Sequence, residues 1–323
     1  MRSVTVITIT IAAAVILGSG IGSAQTAESP HANWRPPTDE ERCPSKWGAG
    51  DQRGSANHMT PENVMRGVRL MRTGETFELS HVLSADMPLI GNRRFDVVVR
   101  HQGPSPEPGR MFGLTEQITT ELGQVGTQFD GFAHVGIGGS FYNCFKLQDI
   151  GTSSGMTELG MENVGTLITR GVLIDVAAAK GVDVLPETYV ITPEDLQQAL
   201  ARQNITLEAG DAILVNTGWS DWYFKDRDVY LRSSPGLGIA AAEWLIAQDP
   251  MLLGADNCCI EVRPVGVGPL IHSFFMAVNG MHLIENVKLD ELAAAEVYEF
   301  GFIVQPLKLQ GATGSTVAPT AVR

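Results

Sequence analysis

A single mixed α/β domain is the fold class this sequence predicts, and three observations predict it. Short apolar runs of buried-strand type, 171–176, 212–216 and 251–255, alternate with capped segments of helical spacing. No internal repeat and no linker divides the chain. The composition, 44% hydrophobic and 18% charged over 323 residues, suits a globular chain long enough to bury a sizeable core.

The elements follow in order. Met1 and Arg2 precede an apolar stretch from Val4 to Ile16, and the small residues Gly22 and Ala24 suit a signal-peptidase cut after Ala24. A membrane anchor is the competing reading, but Thr5, Thr8 and Thr10 interrupt the stretch, which falls short of the ~20 residues a span needs. Residues 1–24 are therefore predicted to be a secretory signal, and the mature chain to be periplasmic or secreted with no membrane partner. Residues 25–74 read as an extended arm followed by a helix that begins at Thr60-Pro61-Glu62 and stops before Gly74.

Strand patterns follow at 77–81 and 95–100, then glycine-rich loops around 123–139. After the buried strand at 171–176, Thr192-Pro193-Glu194-Asp195 caps a helix, and Gly210-Asp211 turns into the strand at 212–216. Pro235 to Asp249 has helical spacing and leads to a strand near 251–255. A last helix, 288–296, precedes a strand at 300–304.

Charge narrows the partners. With 23 Lys+Arg against 36 Asp+Glu, the net charge of −13 repels phosphate backbones, so nucleic acid is not an expected partner. Cys43, Cys144, Cys258 and Cys259 are too sparse for a disulfide scaffold and lack zinc-site spacing. A Cys43–Cys144 bridge and buried free thiols both fit, the latter especially for the adjacent pair at 258 and 259.

The densest polar segment runs from Gln124 to His134, where Gln124, Gln128, Asp130 and His134 fall within eleven positions between turn-forming glycines. Two readings stand side by side: a site facing one cavity, or a turn whose polar side chains bond backbone amides. A second group joins His272 to Glu285, and imidazole plus carboxylate suits a divalent cation that Asp130 could bridge. The neighbouring His282 reads as a core histidine. Phe129, Phe132, Trp219 and Trp222 could wall a pocket for a planar apolar substrate, although such residues also serve as plain core. No Gly-x-Ser-x-Gly elbow and no dinucleotide fingerprint is present.

An ordered series of motifs resembles the cyclase family, which includes bacterial kynurenine formamidase and isatin hydrolase. It comprises Leu79-Ser80-His81, Met87-Pro88, Gly126-Thr127 with Asp130 and His134, Arg170-Gly171-Val172-Leu173, Gly210-Asp211 and Thr217-Gly218-Trp219. Pro235-Gly236-Leu237, Asp256, His272, Glu285-Asn286 and the ending Pro306 to Ser315 continue it, so the resemblance spans about residues 75 to 320. It implies a swivelling β/β/α fold with a small barrel-like mixed sheet and surrounding helices, assembled as a homodimer or homotetramer.

The family pattern His-x-Gly-Thr-His-x-Asp-x-Pro-x-His is altered here. Gln124 and Gln128 replace the two leading histidines and Phe132 replaces the proline, while Asp130 and His134 match. The resemblance implies metal ligands at Asp130, His272 and Glu285, assisted by Gln124 and Gln128, and His134 as general acid/base. An amide oxygen is a harder, weaker ligand than imidazole, so the expected cofactor is one divalent metal, Mn or Zn, with Mg also compatible. The implied reaction is hydrolysis of an amide, lactam or ester/lactone bond in a small, cyclic or aromatic substrate by metal-activated water. Two other readings compete: a metal-free exported binding protein on the same fold, and a metal-dependent lyase or isomerase.

Overall fold

A computed structural model describes residues 34–103, 107–264 and 270–323. The expected signal, 1–24, and residues 25–33 of the arm lie outside the described residues. Among the described residues no helix is long and apolar enough to cross a membrane.

The strands in chain order are β1 (Thr76–Glu78), β2 (Phe95–Gln102), β3 (Gly113–Thr120), β4 (Gln128–Asp130), β5 (Gly151–Thr152), β6 (Gly155–Met156), β7 (Leu167–Asp175) and β8 (Val190–Ile191). They continue as β9 (Ala212–Asn216), β10 (Gly236–Leu237), β11 (Leu252–Ala255), β12 (His282–Glu285), β13 (Glu299–Val304), β14 (Gly314–Thr316) and β15 (Thr320–Val322). Nine of them form one curled, half-barrel mixed sheet in the order β1-β15-β13-β7-β9-β11-β12-β4-β14. Its centre, β7-β9-β11-β12, is parallel, and the flanking pairs are antiparallel.

The parallel centre explains the unbroken apolar runs of the sequence, because helices cover both faces and neither face meets water. Alternation along each strand divides the core in two. Val172, Ile174, Ile213, Val215, Leu253 and Leu283 pack on one face, and Leu173, Ala212, Leu214, Leu252, Ile284, Phe300 and Phe302 on the other. A third cluster gathers Met87, Phe95, Val125, Trp219, Tyr223 and Tyr230.

Local chemistry sets the helix starts where the sequence pattern predicts them. Thr60 Oγ1 accepts from Asn63 N at the start of helix Pro61–Val68. Thr192 and Asp195 form a full capping box on helix Pro193–Gln203, which ends at Asn204 in a left-handed conformation. Helix Pro61–Val68 stops short of the expected boundary before Gly74.

The arm packs on its own chain. Arg42 is buried and donates through Nη1 to Phe141 O (2.9 Å) and Ala277 O (2.8 Å), and Cys43 is bonded to Cys144. The expectation of free thiols at 258 and 259 is corrected: these two adjacent cysteines are joined, with the Arg263 guanidinium beside both sulfurs. Adjacency in the chain brings the two side chains together in the loop after β11.

Candidate metal centre

The pairing of β4 with β12 builds the site. Their antiparallel register sets Gln128 opposite Glu285 and Asp130 opposite Leu283. Gln128, Asp130 and Glu285 therefore project from one face of the sheet, and Phe129 from the other. The loop before β4 is closed by Gly126, whose φ of +65° is a left-handed conformation that favours glycine. Asn286 Nδ2 donates to Gly126 O (2.8 Å) and Thr127 Oγ1 donates to Asn286 O (2.6 Å), so the ends of β4 and β12 are tied together.

His272 arrives from the helical turn Leu270–His272, which continues as a π-helical segment, Ser273–Val278, a distortion frequent at functional sites. Glu261 lies beside it: Oε2 accepts from Ile271 N (2.7 Å), and Oε1 lies 3.7 Å from His272 Nδ1. His272 Nε2 faces Glu285 Oε1 at 2.8 Å and Asp130 Oδ2 at 3.8 Å.

Ligand atoms of Asp130, His272 and Glu285 all lie within 4.8 Å of one another, and all three residues are buried. Two buried carboxylates this close repel each other. Burial first, with the Glu285 charge adding to it, raises the Asp130 carboxyl to about 6, and burial also raises Glu285. Burial opposes charge on His272, but the neighbouring Glu261 and Glu285 carboxylates overcome it and push the imidazole well above its ordinary range.

A divalent cation fits this arrangement. Asp130 Oδ2 is buried without a hydrogen-bond partner, an uncompensated anionic acceptor aimed at the His272 nitrogen, and an O, N, O donor set suits a borderline or hard divalent ion.

The two glutamines stand differently from the ligand role expected for them. Gln128 turns its amide nitrogen to the carboxylates, donating to Glu285 Oε2 (3.0 Å) and weakly to Asp130 Oδ1 (3.4 Å). Gln124 Oε1 accepts from Arg93 Nη2 (3.1 Å), and its Nε2 lies 3.2 Å from His134 Nδ1. Neither carbonyl oxygen is offered to the cluster, because the hydrogen bonds of each amide turn its oxygen elsewhere.

His134 stands at the rim, half-buried, with its ring 6.3 Å from that of His272. Burial lowers its pKa, with the His272 and Arg93 charges acting the same way and Asp130 opposing them.

The aromatic wall expected from Phe129, Phe132, Trp219 and Trp222 is not assembled. Phe129 is 0% exposed on the far face of β4, and Phe132, 1% exposed, stacks on His282 at 4.0 Å. Trp219 is enclosed in the third apolar cluster, donating from Nε1 to Tyr230 O, and Trp222 packs at that cluster's edge. His282 is a core histidine, with Nδ1 3.1 Å from Asp130 O, and burial drops it to about 4. A cavity of about 1050 Å³ at the carboxyl ends of β7 and β9 is lined by Asp175, Asn216, His81 and Lys288 and does not include the cluster residues.

Two residues escaped the sequence reading, Arg93 and Glu261. Arg93 lies in a loop whose Arg93-Arg94 pair carries no spacing signal. Glu261 lies six residues past the end of β11, where only the loop's path brings it to His272.

The family model described as "Putative cyclase" matches residues 77–262. A crystal structure of a novel cyclase is similar to this chain at 33% identity with a TM-score of 0.79, covering 86% of this chain and 98% of its own. Isatin hydrolase A from Ralstonia solanacearum matches at 19% identity and a TM-score of 0.57, over 77% of this chain and 92% of its own. A protein from Bacillus stearothermophilus titled a predicted metal-dependent hydrolase matches at 16% and 0.51, over 77% and 98%. These two likenesses concern the fold. No curated protein matches the chain. With a family model spanning more than half of its residues and a cyclase structure matched along almost its whole length, the chain belongs to the cyclase family.

Proposed function

We propose that this cyclase-family enzyme is an exported, metal-dependent hydrolase that cleaves an amide, lactam or ester/lactone bond of a small cyclic or aromatic substrate. The observation that carries the proposal is the buried Asp130–His272–Glu285 triangle with its unpartnered carboxylate oxygen. The names of similar folds, isatin hydrolase and metal-dependent hydrolase, support the same reaction class.

Asp130, His272 and Glu285 would hold the cation, Mn or Zn. When bound, such an ion supplies a Lewis acid and a water acidified into the neutral range. The chain's own residues do the rest. Glu261 holds the backbone beside His272 through Ile271 N and sets a negative charge near its ring, Gln128 separates the two carboxylates by donating to both, and His134 meets the reacting atoms at the rim. Burial of Asp130, His272 and Glu285 strengthens each electrostatic contact among them.

The Cys43–Cys144 bond supports export, since such bonds persist in oxidising compartments. The β2–β3 hairpin supports a homodimer or homotetramer: Val97, Val99, Phe112, Leu114 and Ile118 are exposed along it, an apolar surface that a second copy would cover. Light scattering reads that assembly, and a monomer at micromolar concentration contradicts it.

The deciding experiment is turnover of a panel of lactams, formamides and lactones with and without chelator. Chelator-sensitive hydrolysis that Asp130→Asn abolishes is expected. Ligand binding without turnover in both proteins would instead establish the metal-free binding protein.

A further inference from the structure

We propose that Arg93 and Gln124 are positioning residues that hold neutral His134 with its proton on Nε2, so that the imidazole meets the reacting atoms as a hydrogen-bond donor. The catalytic meaning rests on the hydrolase reading and replaces the acid/base role drawn from the sequence with that of a fixed hydrogen-bond donor. The location of the proton does not depend on that reading.

Donors and acceptors fix the ring. A guanidinium has five N–H donors and no acceptor. Arg93 Nη1 donates to the backbone oxygen of Gln124 (3.0 Å) and Nη2 to its side-chain Oε1 (3.1 Å). This pair of bonds decides which end of the Gln124 amide is oxygen, and it leaves the NH₂ group facing His134 Nδ1 at 3.2 Å. An NH₂ group can only donate, so Nδ1 must accept. A neutral imidazole with an accepting Nδ1 carries its hydrogen on Nε2. Among the described residues no hydrogen bond reaches Nε2, which is the atom left for a ligand.

The scaffold keeps the clamp in place. Arg94 N donates to Glu121 Oε2 (3.1 Å), and Gln124 N donates to Glu121 O (2.8 Å), so both ends of the Arg93–Gln124 contact hang from one residue. Phe95, next along the chain, is anchored in the third apolar cluster.

The lone pair that would make His134 a base is therefore already engaged. In the donor role the ring transfers no proton. Its Nε2–H is directed at the oxygen of the scissile carbonyl and stabilises negative charge that builds there as the carbonyl is attacked. The clamp depends on glutamine at 124, because a second imidazole there could serve as either donor or acceptor.

Nitrogen-15 NMR of histidine-labelled protein, without substrate and at about pH 9 where ordinary imidazoles are neutral, reads the proton directly. The His134 signals are identified by their loss in His134→Gln. Wild type is expected to be protonated at Nε2. Gln124→Glu, which sets an acceptor against Nδ1, moves the proton to Nδ1. Arg93→Met frees the amide to flip and yields both tautomers, whereas Arg93→Lys retains a donor and restores the Nε2 form. Unchanged thermal unfolding midpoints show that each variant is folded. An Nδ1 proton in wild type, an Nε2 proton that survives Gln124→Glu, or a pure Nε2 form in Arg93→Met overturns the proposal. None of these readouts uses turnover, so a failure of the hydrolase reading is seen separately in the substrate panel.

Discussion

Replacing both Cys43 and Cys144 by serine isolates the contribution of the arm's covalent tie. The bond spans a sequence separation of 101 residues. Closing a loop of that length removes roughly 16 cal/mol/K from the unfolded chain, about 4.7 kcal/mol at 25 °C. The native state keeps other anchors that the substitution leaves untouched. Arg42 still donates to Phe141 O and Ala277 O, Tyr142 Oη donates to Asp51 Oδ2 (2.8 Å) and accepts from Ser45 Oγ (2.7 Å), and Asn143 Nδ2 donates to Gly48 O (2.9 Å). Because these contacts hold the folded geometry, the loss should fall on the unfolded state, and the double variant should lose about 3–5 kcal/mol. Urea unfolding followed by tryptophan fluorescence measures it. The denaturant slope should rise as well, since an unbridged unfolded chain exposes more surface. A loss below about 1 kcal/mol at unchanged slope would refute the reasoning, by showing that the unfolded chain is confined without the bond.

Other perturbations test other parts of the account. Phe132→Ala removes a fully buried ring stacked on His282 and 4.5 Å from Tyr142, and should cost about 3–5 kcal/mol by thermal or urea unfolding. Gln128→Glu replaces the amide donor of Glu285 with a third buried negative charge, so the chelator-treated protein should lose about 2–4 kcal/mol, with the deficit shrinking when Mn is added. Asp256 tests pH linkage: burial raises it to about 6 although Thr217 N (3.0 Å) and Oγ1 (2.6 Å) donate to it. A folded pKa above the unfolded value favours the protonated form. Its contribution is therefore full below about 4 and is lost as pH rises through about 6. Asp256→Asn should gain on wild type by about 1–3 kcal/mol between pH 4 and pH 7.5, as read from urea midpoints. No relative gain across that window would contradict the shift.

The parallel centre of the sheet was legible because burial on both faces leaves an unbroken apolar run, and the runs at 171–176, 212–216 and 251–255 lie within or overlap β7, β9 and β11. Short strands were not. β4, β12, β14 and β15 have three or four residues each, too few for a period to show, yet β4 and β12 carry Asp130 and Glu285. Asp130, His272 and Glu285 are found through the order of motifs, and their convergence requires the sheet register, which no spacing along the chain encodes. Phe129 and Phe132 illustrate the converse. Neighbours of a site in sequence are sent to the opposite face by strand alternation, or into the core by the next turn. Amide orientation was invisible for a further reason. Whether Gln124 presents oxygen or nitrogen is decided by Arg93, thirty-one residues away.

The measurement that tests the central claim most directly is isothermal titration of chelator-treated protein with Mn and with Zn, wild type beside Asp130→Asn. Wild type is predicted to bind about one equivalent, with proton release as the cation displaces the proton held by the His272–Glu285–Asp130 group, and the variant to bind none. Absence of binding by wild type for both metals, or equal binding by the variant, would contradict the metal centre.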